Sequence, residues 1–182
     1  MELTTRRLLL RPLREDDAPA LARGLNNFNV SRNLARVPWP YSLEDASAFI
    51  ALQRGFDPRG CVCAIAFNCA PDELIGMISY EPREDGRFEL GYWLHESCWG
   101  LRIMSEAAAA LVHYAFTMGG VSVLASGYHA DNPKSGRILR RLGFVETHEE
   151  MNLSLAQGKD VATIKLRLGL ADWLSQNESR AA

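Results

Sequence analysis

The stretch Phe88–Phe116 reads FELGYWLHESCWGLRIMSEAAAALVHYAF, and its two halves obey different periods. Phe88–Leu94 is short, apolar and aromatic, which suits a strand. In Met104–Phe116, Met104, Ala107, Ala108, Leu111 and Ala115 share one stripe of a 3.6-residue period, and the run Ala107–Ala110 favours helix intrinsically. The turn between them carries Trp99-Gly100. A strand that enters a helix through a tight turn leaves the first N–H groups unpaired at the positive end of the helix dipole. That is a ready seat for a phosphate or diphosphate.

Two nucleotide motifs are excluded at this turn. A P-loop would close on G-K-[ST], whereas the chain reads Gly100-Leu101-Arg102-Ile103, and no G-x-G-x-x-G is present.

Working outward toward the N-terminus, Cys61–Phe67, Leu74–Tyr80 and Phe88–Leu94 are strand-like and joined through APDE and EPREDG. Links this short imply an antiparallel meander. Residues 6–13, RRLLLRPL, suit an edge strand because of Pro12. Glu15-Asp16-Asp17 opens a helix through Pro19, Leu21 and Leu25, its carboxylates complementing the dipole. Residues 28–41, FNVSRNLARVPWPY, form a long connection. Ser42 and Asp45 then resemble a capping box before a helix with Ala46, Phe49, Ile50 and Leu52 on its apolar side.

Toward the C-terminus, Gly119-Gly120 ends the alanine-rich helix and Val121–Ala125 is a buried strand. Asn132-Pro133 opens a basic amphipathic helix, Lys134–Leu142, which Gly143 stops. Phe144–Leu155 and Val161–Leu168 make a closing hairpin, and residues 170–176 a short final helical turn. The order βααβββαβαββ belongs to a mixed α/β (α+β) fold with a central meander. No repeat or linker interrupts it, so residues 1–182 are expected to form one domain.

Composition narrows the function classes. Apolar residues make up 47% of 182, charged residues 23%, and the net charge is −2. That is ordinary globular composition, with no general field for nucleic acid or an anionic membrane, so an anion site has to be built locally. No apolar run reaches the roughly 20 residues that span a bilayer. The N-terminal MELTTRRLLLRPLRED does not read as a signal peptide. Cys61, Cys63, Cys69 and Cys98 show no C-x-x-C spacing for zinc and read as small apolar filler in a reducing cytoplasm. No metal is expected.

Gly91-Tyr92-Trp93-Leu94, Trp99-Gly100 and Met104-Ser105-Glu106-Ala107 together resemble the acetyl-CoA motif of the GNAT N-acetyltransferases, near the ribosomal-protein-alanine branch. Three further pieces agree in order. These are Leu3–Leu8 with Leu10–Leu13, then Asn132-Pro133-Lys134-Ser135 leading to Leu142-Gly143-Phe144, and Gly158-Lys159-Asp160 before the last strand. The resemblance implies the GNAT fold, a mostly antiparallel twisted sheet of about seven strands flanked by helices. It implies transfer of an acetyl group from acetyl-CoA to a primary amine, by direct attack in a ternary complex. The acceptor would be a peptide N-terminus or a small molecule, and a homodimer stays open. A catalytically silent coenzyme A sensor or interaction domain is the alternative.

The family's turn places a glycine or alanine where this chain has Arg102. Arginine there either adopts positive φ, at about 1 kcal/mol or more, or is already helical. On the resemblance, Tyr92, Trp93, Leu94, Gly100, Leu101, Arg102, Ile103, Met104, Ser105 and Asn132 contact the coenzyme. Ser135 lies near its sulfur and protonates the leaving thiolate, with Tyr128 as the second candidate for that proton. Asn132 and Ser135 equally suit helix capping. Glu89 is the candidate general base, Glu106 reads as structural, and Phe28, Trp39 and Tyr41 are candidates for lining the acceptor pocket. The lack of an obvious strong base favours an α-amine, with a pKa of about 7.7–8.0, over a lysine at about 10.4.

Overall fold

The computed structural model of the protein describes residues 1–53, 59–83 and 86–181. Its strands are β1 (Leu3–Thr4), β2 (Leu8–Arg11), β3 (Cys61–Phe67), β4 (Gly76–Pro82), β5 (Phe88–Leu94), β6 (Val123–His129), β7 (Val145–Ser154) and β8 (Lys159–Gly169). The helices are α1 (Ala18–Leu25), α2 (Phe28–Ser31), α3 (Leu43–Gln53), α4 (Ile103–Thr117), α5 (Pro133–Leu142) and α6 (Leu170–Ala181). One sheet runs β1-β2-β3-β4-β5-β6-β8-β7, with every neighbouring pair antiparallel except β5 and β6.

Helices α1 and α3 pack one face of the sheet through Leu21, Leu25, Ala46 and Ile50 against Ala64 and Met77. The other face carries α4, with α5 and α6 beside it. Along α4, Ala107, Ala108 and Ala115 are fully buried, so their small side chains let the helix lie close to the strands while Ile103, Leu111 and Val112 fill the space between. Each such large aliphatic residue contributes about 1.5–3 kcal/mol of burial.

The meander and the closing hairpin match the sequence expectation, the latter with a bulge between Glu146 and His148. Residues 84–85 of the EPREDG turn lie outside the described residues. The capping box forms as read, since Asp45 N–H donates to Ser42 Oγ at 3.1 Å and Ser42 N–H to Asp45 Oδ2 at 2.9 Å.

Three expectations need correction. The single N-terminal strand is a hairpin, closed where Thr5 N–H donates to the Leu8 carbonyl at 2.8 Å. The strand expected at Val121–Ala125 is Val123–His129, because pairing with β8 continues to His129↔Thr163. The final turn is a helix of 12 residues, whose Trp173 packs on His113 and Phe116 of α4. Asp17 also serves differently from a dipole partner. Its carboxylate is buried and takes both Arg11 Nη groups, at 2.7 and 2.8 Å. Among the described residues no helix is long and apolar enough to cross a membrane.

Candidate active site

The parallel pair β5–β6 is registered only at Phe88↔Leu124 and Glu89↔Ala125; beyond these the strands diverge. Side chains take over at the divergence. Ser126 Oγ donates to the Leu90 carbonyl at 2.9 Å, and the Trp99 indole N–H donates to the Leu94 carbonyl at 3.1 Å. In an antiparallel strand the N–H and C=O of one residue point to the same side, and alternate residues share that side. Leu90 and Leu94 therefore face the gap, and so does Tyr92 between them. Its N–H and C=O meet no strand there.

The gap opens into a cleft of 2170 Å³ that passes from the α4–α5 side of the sheet to the α1–α3 side. At its first end lies the turn before α4. Gly100 has φ 79°, and Arg102, the residue preceding the helix, has φ 58° and ψ 18°. Of the two conformations open to position 102, the left-handed one is adopted, so arginine carries the strain that a glycine would avoid. The first helical bond runs from Glu106 N–H to the Arg102 carbonyl at 3.2 Å. The N–H groups of Ile103, Met104 and Ser105 thus lack helical partners, and the Arg102 side chain does not cap them. Arg102, Ile103, Met104 and Ser105 all border the cleft.

Two neighbours of this turn are structural. Leu101 is 53% exposed and lies outside the cleft lining, with its carbonyl accepting from Arg7 Nη1 at 3.0 Å. Its side chain is thus turned away from the cleft that its neighbours at 100 and 102–105 border. Glu106 accepts from Thr5 Oγ1 at 2.7 Å and Arg7 Nε at 2.6 Å, which ties the N-terminal hairpin to α4.

Beside the gap, the Tyr92 and Ser135 hydroxyls share a hydrogen bond of 2.9 Å, and Tyr92 Oη also donates to the Ser135 carbonyl at 3.3 Å. Burial pushes the Tyr92 phenol up to about 12, offset in part by the Ser135 contact. Asn132 precedes α5 and its Oδ1 accepts from Ser135 N–H at 3.4 Å, so it holds the serine's helical turn in place.

Tyr128, the rival proton donor, is committed elsewhere. Its hydroxyl donates to Glu146 Oε1 at 3.1 Å and accepts from Arg140 Nη1 at 3.0 Å. Its ring lies where a Cβ on Gly136 would stand 2.5 Å away, which explains the glycine in α5. Sequence reasoning assigned Tyr92 through its backbone alone and missed its hydroxyl. The available signal was alternation, which sets Tyr92 on the same face as Leu90 and Leu94, toward α4 and α5.

Glu89 points to the opposite face and borders the cleft there. Its carboxylate meets Arg83 Nε at 2.6 Å and Lys165 Nζ at 3.3 Å. Burial alone would raise its pKa, but the Lys165 and Arg83 charges outweigh burial and hold it below the usual range. A carboxylate so paired is a weak base, so the geometry disfavours the general-base assignment.

Trp93 packs against α1, where a Cβ on Gly24 would stand 2.5 Å from its ring. Among the acceptor candidates only Tyr41 borders the cleft, and it is 7% exposed. Phe28 and Trp39 pack edge to face on each other, centroids 5.1 Å apart, outside the lining of the cleft. The connection 28–41 does wall the cleft, through Asn29, Asn33, Arg36 and Val37. Among the described residues no cluster of His, Cys, Asp or Glu is disposed to hold a metal ion.

A family model described as an acetyltransferase (GNAT) domain matches residues 7–145. The ribosomal-protein-serine acetyltransferase of Escherichia coli (strain K12) is 40% identical over 76 residues, 41% of this chain and 42% of that protein. The chain therefore aligns with less than half of that relative's length. The uncharacterized N-acetyltransferase YoaA of Bacillus subtilis (strain 168) is 30% identical over 149 residues, 78% of this chain and 81% of the relative. A solved ribosomal L7/L12 alpha-N-protein acetyltransferase in complex with coenzyme A shares the fold, with a TM-score of 0.77 and 23% identity over 93% of this chain and 98% of its own. The chain belongs to the GNAT acetyltransferase family.

Proposed function

We propose that this protein transfers an acetyl group from acetyl-CoA to a primary amine of the α-amino type, a peptide N-terminus first among them. The observation that carries the reading is the Tyr92–Ser135 hydroxyl pair, 2.9 Å apart, beside a strand gap that leads to the uncapped start of α4. The donor set fits the coenzyme. Unpaired N–H groups at Ile103–Ser105 suit a diphosphate, and the open backbone of Tyr92 suits an amide-bearing arm. At 2170 Å³, the cleft exceeds the roughly 300–1,000 Å³ of a single small-molecule site, which leaves room for a second substrate.

A bound acyl-CoA supplies the activated acyl group as a thioester. The rest of the chemistry belongs to the chain. The Tyr92 N–H, open to the gap, is placed to stabilise charge developing on the acyl oxygen. The Ser135–Tyr92 pair, both members of which are protonated at neutral pH, would supply the proton to the sulfur that leaves as nitrogen replaces it on the acyl carbon, and would regain one from solvent. The amine loses its proton to water, which a pKa of about 7.7–8.0 permits without a strong base.

The left-handed backbone at Arg102 keeps the turn a glycine would make, which favours a working anion seat over a silent sensor.

The test is thiol release from acetyl-CoA with a panel of peptides. A peptide with a free N-terminus should be acetylated. The same peptide blocked at its N-terminus but carrying lysine should react at least about tenfold more slowly. Equal rates for the two would overturn the α-amine preference, and no release with any amine would overturn the transferase reading.

A further inference from the structure

We infer that Cys61 and Cys63 form a two-sulfur site for a trivalent arsenical, a soft three-coordinate centre that brings its own third substituent, on the face of β3 turned toward α4.

Successive side chains of a strand alternate between faces, so residues two apart share one. In β3, Cys63 and Ile65 belong to the core beneath α4, and Cys61 packs against the same cluster. The two sulfurs stand 3.3 Å apart, joined by a hydrogen bond. Cys63 is buried, whereas Cys61 is half-buried and borders a cavity of 690 Å³. Ile50, Tyr80, Tyr114 and Met118 help to wall that cavity, an apolar seat for an aryl or alkyl group. Tyr114 lies in the last turn of α4, while the anion seat is at the start of that helix. At about 1.5 Å per residue, the two ends are roughly 20 Å apart, so the thiol pair is a separate site.

The spacing decides which chemistry fits. A disulfide draws its sulfurs to about 2.0 Å and its Cα atoms to about 6.8 Å at most, and two steps along a strand already span about that limit. Cys61 is paired with Tyr80 and Cys63 with Ile78, which holds β3 extended, so closing a disulfide works against the sheet. A single atom bonded to both sulfurs leaves the strand as it is. With bonds of about 2.3 Å, a separation of 3.3 Å subtends about 90° at that atom. Tetrahedral zinc would spread the sulfurs to about 3.8 Å and needs two further ligands. Among the described residues no third His, Cys, Asp or Glu is grouped with this pair. A pyramidal arsenic(III) centre has the narrow angle and takes only two sulfurs from the protein, and thiolate suits so soft a centre.

The pair also prepares its accessible member. The hydrogen bond from Cys63 outweighs burial and holds the Cys61 thiol below its ordinary value, so Cys61 is the first to become a thiolate. With a hydrated arylarsine oxide, Cys61 displaces one hydroxide from arsenic and Cys63 displaces the other. Two As–O bonds break, two As–S bonds form, and the two thiol protons leave in two molecules of water. Arsenic stays trivalent throughout.

Phenylarsine oxide, added to the full chain with its thiols reduced, is the probe. Wild type should take up one equivalent, and two of its four cysteines should become unreactive toward a thiol reagent. Its intact mass should rise by one phenylarsenic group less two hydrogens. A competing dithiol such as 2,3-dimercaptopropanol should strip the adduct, whereas a monothiol at the same concentration should not. Cys61→Ser and Cys63→Ser should each weaken binding by about 100-fold or more and make it reversible by the monothiol, because one sulfur no longer holds the other's ligand nearby. Cys69→Ser should bind as wild type does. A thermal melt checks that the buried Cys63→Ser variant folds, and if it does not, the half-buried Cys61→Ser variant decides alone. No uptake by wild type, uptake with only one thiol lost, or undiminished binding by Cys61→Ser overturns the inference.

Discussion

Tyr92 of β5 and Ser135 of α5 lie 43 residues apart in sequence and meet hydroxyl to hydroxyl at 2.9 Å, joining strand and helix across the mouth of the gap. Either group can pass a proton through the other. Removing one should leave a partial route.

Ser135→Ala and Tyr92→Phe should each lower kcat by about tenfold, and the double variant by about 100-fold or more, within the usual range for a lost proton donor. Coenzyme A affinity should stay within about threefold, since the diphosphate seat is untouched. Because burial holds the Tyr92 phenol at about 12, the wild-type rate should not fall on the alkaline side below about pH 10. Unchanged turnover in the double variant would remove the proton-donor role.

Arg102→Gly should stabilise the protein free of ligand. Arginine at φ 58° costs about 1–2 kcal/mol that glycine does not, which for a chain of this size raises Tm by about 2–4 °C per kcal/mol. A melt recorded without coenzyme checks it, and a lower Tm would mean that the guanidinium makes contacts that outweigh the strain.

Glu89→Gln separates a base from an ion-paired carboxylate. Loss of a general base costs about 10²–10⁴ in rate, whereas a paired structural carboxylate should cost less than about tenfold. The stability effect has a definite sign. The folded pKa lies below the ordinary carboxylate value because Lys165 and Arg83 outweigh burial. Its contribution is therefore complete above about pH 4.3 and is lost as pH falls through the folded value. Urea titrations at pH 7 and pH 4 should show the wild-type advantage over Glu89→Gln shrinking in acid.

The buried pair Arg11–Asp17 should be the costliest to break. Both side chains are almost fully buried, and Arg11 also donates to the Pro71 carbonyl at 2.8 Å. Asp17→Ala strands that cation and should destabilise by about 3–5 kcal/mol by urea unfolding. Asp17 is remote from the gap, so the coenzyme A affinity of the folded fraction should be unchanged.

What could be read in advance followed from local rules. The strand–turn–helix at 88–116 carries two periods and a glycine turn, and the hairpins have short links, so element type and the anion seat were legible. Arg11 and Asp17 were not, because a charged pair in a core breaks the pattern of apolar burial and declares itself only in three dimensions. The end of β6 was misplaced for a related reason. Ser126, Gly127 and Tyr128 lack a strand's apolar run, and pairing with β8 overrides that weakness. The Tyr92–Ser135 contact and the Arg83–Glu89–Lys165 ion pairs depend on how elements cross, which no periodicity encodes. That Phe28 and Trp39 pack on each other is likewise a matter of how the 28–41 connection folds back, which their aromatic character alone does not encode.

The most direct measurement is a crystal structure with coenzyme A bound. Diphosphate oxygens should lie about 3 Å from the N–H groups at Ile103–Ser105, with the sulfur in the β5–β6 gap beside the Tyr92 and Ser135 hydroxyls. A coenzyme seated elsewhere, with the start of α4 still solvated and the gap unfilled, would contradict it.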